Sequence, residues 1–350
     1  MKEFLKLDKT LILGDTHIHD RSATIQRRQI DCIKRIVLEE GPEEVIQLGD
    51  FFDKRSPSPE ALLAGKEVTD FLSKNVKRTV ILRGNHDSSN KSDNGVTALS
   101  LFEYKNIKIV HSTEVFDNAV FIPHYEDEDY IKQQLSLVHK DSWVFSHIGY
   151  ADCFNSLGDL DFSIPFDSFR NPTVLGHIHK YVNQETANKN GFVTIMGTPY
   201  TTSYTEWGKS NYYGILSNGS LKAKAINHGL RYCVFNYADL PEAKAMLSDR
   251  NYGTRLRVYV DRLSELDTDG LIKSIISEYE VDYVDIKYKP IFDEDNFSGV
   301  STFSPDKSLV KITESIIEQY VDSAIVSIGK DDLMDGFRLL KDEHKKNNNQ

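Results

Sequence analysis

Cysteine is scarce in this 350-residue chain: Cys32, Cys153 and Cys233 stand far apart and odd in number. That excludes a disulfide framework and a cysteine-based zinc site, and all three read as reduced and structural. Long apolar runs are missing as well. No stretch approaches the ~20 residues a bilayer-crossing helix needs, and the opening MKEFLKLDKT has no apolar signal core. The expected location is the cytoplasm, with no membrane partner. Positive charge is the minority sign, with 42 Lys plus Arg against 53 Asp plus Glu and a formal net charge of −11. This speaks against holding nucleic acid by bulk electrostatics, but not against holding it at a local site. No internal repeat is present.

What is there is an ordinary globular composition, 39% apolar and 27% charged, long enough for about two domains. KTLILGD reads as a buried strand, and SATIQRRQIDCIKRIVLEEG as a helix capped by Ser22 and stopped by Gly41. The pattern recurs with EEVIQLGD before SPEALLAGKEVTDFLSK, and with KRTVILRGNHD before NGVTALSLFEY. Strands alternating with helices imply βαβ units, whose ligands bind at the carboxyl ends of the strands. Further strands follow in AVFIPH, SWVFSH, TVLGHIH, GFVTIMGTP, NYYGILS and RYCVFNY, so the first domain is expected to pair two sheets between flanking helices. The alternation restarts after Tyr237 in EAKAMLSDR, TRLRVYV, DGLIKSIISEY and VDYVDIKY, which predicts a small α/β domain. DEDNFSGVSTFSPD reads as a linker, and Lys307 to Lys345 as helical. The expected boundaries are 1–237, 238–290, 291–306 and 307–350.

Five strands end in the same grammar: GDTH (Gly14 to His17), GDFFD (Gly49 to Asp53), GNHD (Gly84 to Asp87), SHIG with His147, and GHIH (Gly176 to His179). Any one of these is most often a turn with a helix-capping Asp. All five in one order bring carboxylate, amide and imidazole groups to one rim. Such oxygen-and-nitrogen sets suit manganese, iron or zinc, and a two-metal site is the economical explanation.

This order of motifs resembles the calcineurin-like metallophosphoesterase superfamily. The resemblance implies a four-layer α/β/β/α sandwich, with Asp15, His17, Asp50 and His179 around one metal and Asp50, Asn85, His147 and His177 around the other. Asp50 would bridge, and His86 would match the superfamily's catalytic histidine. The expected cofactors are two divalent ions, manganese first and magnesium second. Within the superfamily the chain is similar to SbcD-type DNA repair and recombination nucleases, and to their bacteriophage branch, through GDFFDKRSPSPEAL, through GTPYTTSYTEWGKSNYYG and through its layout. That resemblance implies DNA as substrate, double-stranded ends and single strands alike. It also implies a capping domain at 238–290, a homodimer, and an SbcC-type ATPase partner docked on 307–350, in the host cytoplasm if phage-encoded.

Asp53 stands where cellular SbcD-type nucleases usually carry a histidine linked to exonuclease action. An ionised aspartate only accepts hydrogen bonds, so it cannot protonate a leaving oxygen. Lys54, Arg55 and Arg83 are candidate contacts for backbone phosphates, against the bland reading of solvated surface charges. His19 and Asp20 lie past the shared pattern, either supporting a ligand or simply as a loop His and a capping Asp. His124 is worth watching because it too follows a strand. The competing functions are a small-substrate phosphodiesterase or protein phosphatase on the same scaffold, and a metal-free interaction scaffold.

Overall fold

The structure is a computed structural model, and it describes residues 7–288 except 91–95, 117, 152, 154–161, 187, 190 and 261–267. The expected linker at 291–306 and helical segment at 307–350 lie outside the described residues. In chain order the first elements are β1 (Thr10–Leu13), α1 (Ala23–Glu40), β2 (Glu44–Gln47), α2 (Pro59–Asn75), β3 (Arg78–Leu82) and β4 (Ile107–Val110). There follow β5 (Glu114–Val115), β6 (Ala119–Ile122), α3 (Glu128–Ser136), β7 (Trp143–His147), β8 (Thr173–Gly176), β9 (Val182–Glu185) and β10 (Phe192–Ile195). Last come β11 (Tyr212–Ser217), β12 (Ser220–Ala225), β13 (Gly229–Asn236), α4 (Leu240–Leu247), β14 (Tyr252–Val260), α5 (Thr268–Tyr279) and β15 (Tyr283–Tyr288).

Two six-stranded sheets result, ordered β12-β11-β1-β2-β3-β4 and β5-β6-β7-β8-β10-β9. In each, four neighbouring strands run parallel: β1 to β4 in the first, and β6, β7, β8 and β10 in the second. Alternate residues of a strand face opposite layers. On β1, Leu11 and Leu13 pack under α1 and α2 while Ile12 faces the second sheet. On β7, Val144 packs outward with Ile131 and Leu135 of α3, while Phe145 packs inward. Both faces of the central strands are therefore apolar, and the layers are helix, sheet, sheet, helix, as expected.

The helices start and stop where their caps dictate. Ser22 accepts from the Ile25 amide at the head of α1, and Gly41 ends it at φ 52°, a left-handed turn. Ser58 and Pro59 open α2. The helix expected over NGVTALSLFEY is only a 3-10 turn, Ala98–Phe102, in which Leu99 and Phe102 are the buried residues. Two buried side chains are too little packing to propagate a helix.

The third sheet is wholly parallel, β13-β14-β15, with α4 and α5 as crossovers. Its inner face joins the helices in a core of Cys233, Leu256, Val258, Ile275 and Val284. RYCVFNY, expected to close the first domain, is instead β13 of this sheet. It pairs with β14 along its whole length, Gly229 with Tyr252 through Asn236 with Tyr259, and that ladder decides its place. Across α1 the sheet is held by Arg28, whose guanidinium donates twice to Asp282 at 3.0 Å. Among the described residues no helix is long and apolar enough to cross a membrane.

Phe145 is fully buried between the two large sheets and stacks on Phe121, ring centroids 5.1 Å apart. Phe145→Ala is expected to lower unfolding free energy by about 3–5 kcal/mol, read from a urea transition with unchanged slope. A loss under about 1 kcal/mol would show that the sheets close over the cavity.

Candidate metal centre

Five parallel strands, three from the first large sheet and two from the second, point their carboxyl ends at one rim. Just past β1 come Asp15 and His17, past β2 Asp50, past β3 Asn85 and His86, at the end of β7 His147, and past β8 His177 and His179. The chain must turn within two or three residues to aim these side chains inward. His17, Asp50 and His177 do so at φ 38°, 48° and 79°. Non-glycine residues pay roughly 1–3 kcal/mol for such a conformation. Gly84 allows a close approach, since a Cβ there would fall 2.1 Å from Asp50 Oδ1 and 2.2 Å from the Asp50 amide.

The seven expected ligands come together. Oxygen or nitrogen atoms of Asp15, His17 and His179 lie within 4.8 Å of one another, as do those of Asp50, His147 and His177, and those of His17, Asp50 and His86. Asn85 Oδ1 sits 3.0 Å from His147 Nε2 and 2.9 Å from His177 Nδ1, which places it in the second group. Asp50 faces both sets, 3.3 Å from His147 Nε2 and 3.7 Å from His17 Nε2. His17 Nε2 and His179 Nε2 approach to 3.0 Å.

Fixed acceptors set the imidazole tautomers. His147 Nδ1–H donates to the Leu48 carbonyl at 2.7 Å and His179 Nδ1–H to the Glu206 carboxylate at 2.5 Å. Both Nε2 atoms therefore face the centre with their lone pairs when the rings are neutral. Asp15 accepts the His177 amide through both oxygens at 3.0 and 2.9 Å, and Asp50 Oδ1 accepts the His86 amide at 2.8 Å.

Burial and charge pull these groups apart in protonation. Burial pushes the Asp15 carboxyl up to about 6, against the pull of His147. Burial acts on Asp50 as well, yet His147 and His17 hold it well below the ordinary carboxylate range. Burial lowers His17 to about 3 and His177 well below its usual value. On His147 burial is outweighed by Asp50 and Asp15, which lift the ring to about 9. Two carboxylates, an amide oxygen and four imidazoles converging on one rim fit divalent cations of the manganese, iron or zinc kind.

The other expected residues fall into different places. His86 Nδ1 donates to the main-chain carbonyl of Asp53 at 2.7 Å, and its ring meets His17 edge-on at 5.1 Å. Nε2 is left free toward the centre. What Asp53 contributes here is that carbonyl rather than its carboxylate. Lys54 is exposed and pairs with Asp20 at 3.2 Å, whereas Arg55 donates to the carbonyls of Ser88 and Asn90. Arg83 departs from expectation: only 2% exposed, it donates to the His124 carbonyl at 2.5 Å and stacks on Tyr125. It sits beneath the rim, where no backbone phosphate reaches it. His19 Nδ1 accepts the Arg21 and Ser22 amides, and Asp20 accepts the Ser58 amide. The pair serves the loops ahead of α1 and α2.

Sequence reasoning missed two residues. Asp87, the last letter of GNHD, is buried and accepts the amides of Phe51, Phe52 and Gly84, clamping the Asp50 loop to its own; burial pushes it up to about 6. Glu206 lies in an aromatic stretch that carries no ligand pattern. His124, flagged only because it follows a strand, packs its ring 5.7 Å from that of His177.

The family description "calcineurin-like phosphoesterase" matches residues 9–233, the two large sheets and the start of the third. The chain belongs to the calcineurin-like phosphoesterase family. Its members hydrolyse phosphoesters with divalent metal ions, and this chain carries the His and Asp clusters for them. No curated protein matches the chain. Among solved structures, the crystal structure of Pseudomonas putida nuclease MPE is 18% identical over 61% of this chain and 87% of its own, at a TM-score of 0.30.

Metal uptake in this phosphoesterase is expected to release protons. Without metal, His147 titrates at about 9 and so carries a proton at neutral pH, and a ligand imidazole must lose it. Affinity for Mn²⁺ should rise as pH climbs toward about 9, and fall more steeply below about 6 where Asp15 also protonates. Calorimetry at pH 7 in two buffers of different ionisation enthalpy reads the release; equal heats in both would contradict it.

Proposed function

We propose that the chain is a two-metal DNA nuclease, the phosphodiester-cleaving subunit of an SbcCD-like recombination and repair complex, with manganese as the expected ion. The observation that carries the reading is the convergence of Asp15, His17, Asp50, Asn85, His147, His177 and His179 on one rim, with His86 free at Nε2 beside them. Bound there, two divalent ions would supply an activated water and positive charge at the phosphoryl oxygens. Asp50 faces both sets of ligands and would be shared between the two ions. His86, braced through Nδ1–H, would present Nε2 to the reacting phosphate, where the imidazolium form would stabilise charge or give its Nε2 proton to the leaving oxygen.

DNA is favoured over a small diester by what adjoins the rim. Arg255 of β14 stacks between Tyr232 and Tyr283, its guanidinium 4.0 Å from the Tyr283 ring centroid. The same arginine is near enough to His19 to help burial depress that imidazole, against the pull of Asp53. The third sheet thus sets a cation, held between two tyrosines, beside the Asp53 loop, which suits a polyanion. Lys54 adds an exposed cation there. On this reading the third sheet caps the DNA, the chain acts as a cytoplasmic homodimer, and residues 307–350 dock an SbcC-type ATPase.

Purified protein with Mn²⁺, assayed on linear duplex, hairpin and single-stranded DNA beside a small aryl diester and a phosphopeptide, tests the substrate. Cleavage of the small substrates alone would leave a phosphodiesterase or phosphatase and sink the nuclease. Asp50→Ala and Asn85→Ala should abolish cleavage in folded protein, and His86→Ala should slow it by ~10²-fold with metal retained. Asp53→His should keep endonuclease activity and shift the exonuclease component, because the carbonyl that braces His86 is unchanged; an unaltered ratio would assign Asp53 a structural part.

Truncation before Asp306 should spare metal binding and lose the ATPase partner. Co-purification of that partner with the truncated chain at full yield would defeat the docking assignment.

A further inference from the structure

Glu206 lies outside the metal-centre motifs, yet its carboxylate meets one of their imidazoles. It is 2% exposed. Oε1 receives His179 Nδ1 at 2.5 Å and Thr202 Oγ1 at 2.9 Å, and Oε2 receives the Thr202 amide at 2.6 Å. A carboxylate can only accept, so His179 is held as the Nδ1–H tautomer with its ring plane fixed and Nε2 aimed at Asp15 and His17.

The same short segment grips the rest of the molecule. Tyr200 donates its hydroxyl to the Thr16 carbonyl, between Asp15 and His17. Thr201 Oγ1 accepts the Tyr232 amide of β13 at 2.8 Å. Beside Glu206, Tyr204 meets Tyr232 edge-on at 4.9 Å and lies under Arg257 of β14, whose guanidinium is 4.1 Å from the ring centroid. On the other side Trp207 packs on Phe235 at 5.2 Å. Arg257 is in turn fixed by Asp285 of β15 at 2.7 Å. All three strands of the third sheet thus bear on one 3-10 turn, Tyr204–Glu206, whose last residue holds a ligand imidazole.

We infer that Glu206 is a positioning residue for the metal centre, and that through Tyr204 and Trp207 it ties the orientation of His179 to the seating of the third sheet. A load on that sheet, from bound polyanion or a partner, therefore reaches the metal set nearest Asp15 and His17 before the one nearest His177. The inference rests on the two-metal reading above, and its test reads metal binding without any substrate.

Mn²⁺ is titrated by calorimetry into metal-free full-length protein, with circular dichroism confirming the fold of each variant. The wild-type chain should take up two ions. Glu206→Ala should weaken one of them by about 10- to 100-fold and leave the other unchanged. Glu206→Gln, which keeps an acceptor for His179 but loses the charge, should fall between. Arg257→Ala touches no ligand, and should weaken the same ion by about 2- to 30-fold. Unchanged affinities in Glu206→Ala overturn the positioning role, and if that variant does not fold, unchanged affinities in Glu206→Gln do so. Unchanged binding in Arg257→Ala overturns the tie to the third sheet. A wild-type chain that takes up no manganese overturns the metal-centre reading, and this inference with it.

Discussion

The rest of this structure depends on keeping two buried carboxylates, Asp15 and Asp50, side by side at the ends of neighbouring strands. A buried carboxylate without compensation neutralises itself or unfolds the protein around it. Here the compensation comes from all directions: the His177 amide on Asp15, the His86 amide on Asp50, and the His147 imidazolium between them. Each donor belongs to a different strand end, so the charge requirement fixes how the two large sheets meet. Asp87 extends the scheme by one layer. Its three amide partners lie on the loop of Asp50 and on its own loop, so a third buried acid locks the geometry of the second.

Much of this was legible because the residues that form the rim follow strands buried on both faces. Such strands read as unbroken apolar runs, ILIL-like and easily placed, and each is followed at once by its polar cluster. The edge strands were not legible for the opposite reason. β9 (VNQE) and β12 (SLKAKA) have no fully buried residue, and an edge carries little apolar signal. β13 was read correctly as a strand and assigned to the wrong sheet, because an apolar run does not announce its partner; the ladder to β14 does. Arg83 misled for a similar reason. A charged residue beside a ligand motif looks like a substrate contact, and only the fold reveals the carbonyl of His124 above it.

Glu206 marks the limit of motif reading. Twenty-seven residues separate it from His179, and nothing in YTEWGK sets its carboxylate apart from the chain's many surface acids. Its role follows from burial and from having a histidine nitrogen as partner, both of which are tertiary facts. The residues that gather at the rim were legible as a set because each closes a successive buried strand in the chain.

His86 illustrates a further property of such a site. Its ring is braced by a main-chain oxygen, the carbonyl of residue 53, and every amino acid supplies that same atom. The side chain at 53 is therefore decoupled from the imidazole of His86, 33 positions further along the chain. In the course of divergence an acid, an amide or a second imidazole can succeed one another there without disturbing the register of His86, so the lineage can vary the side chain at the lip of the site while the phosphoesterase apparatus stays as it was inherited.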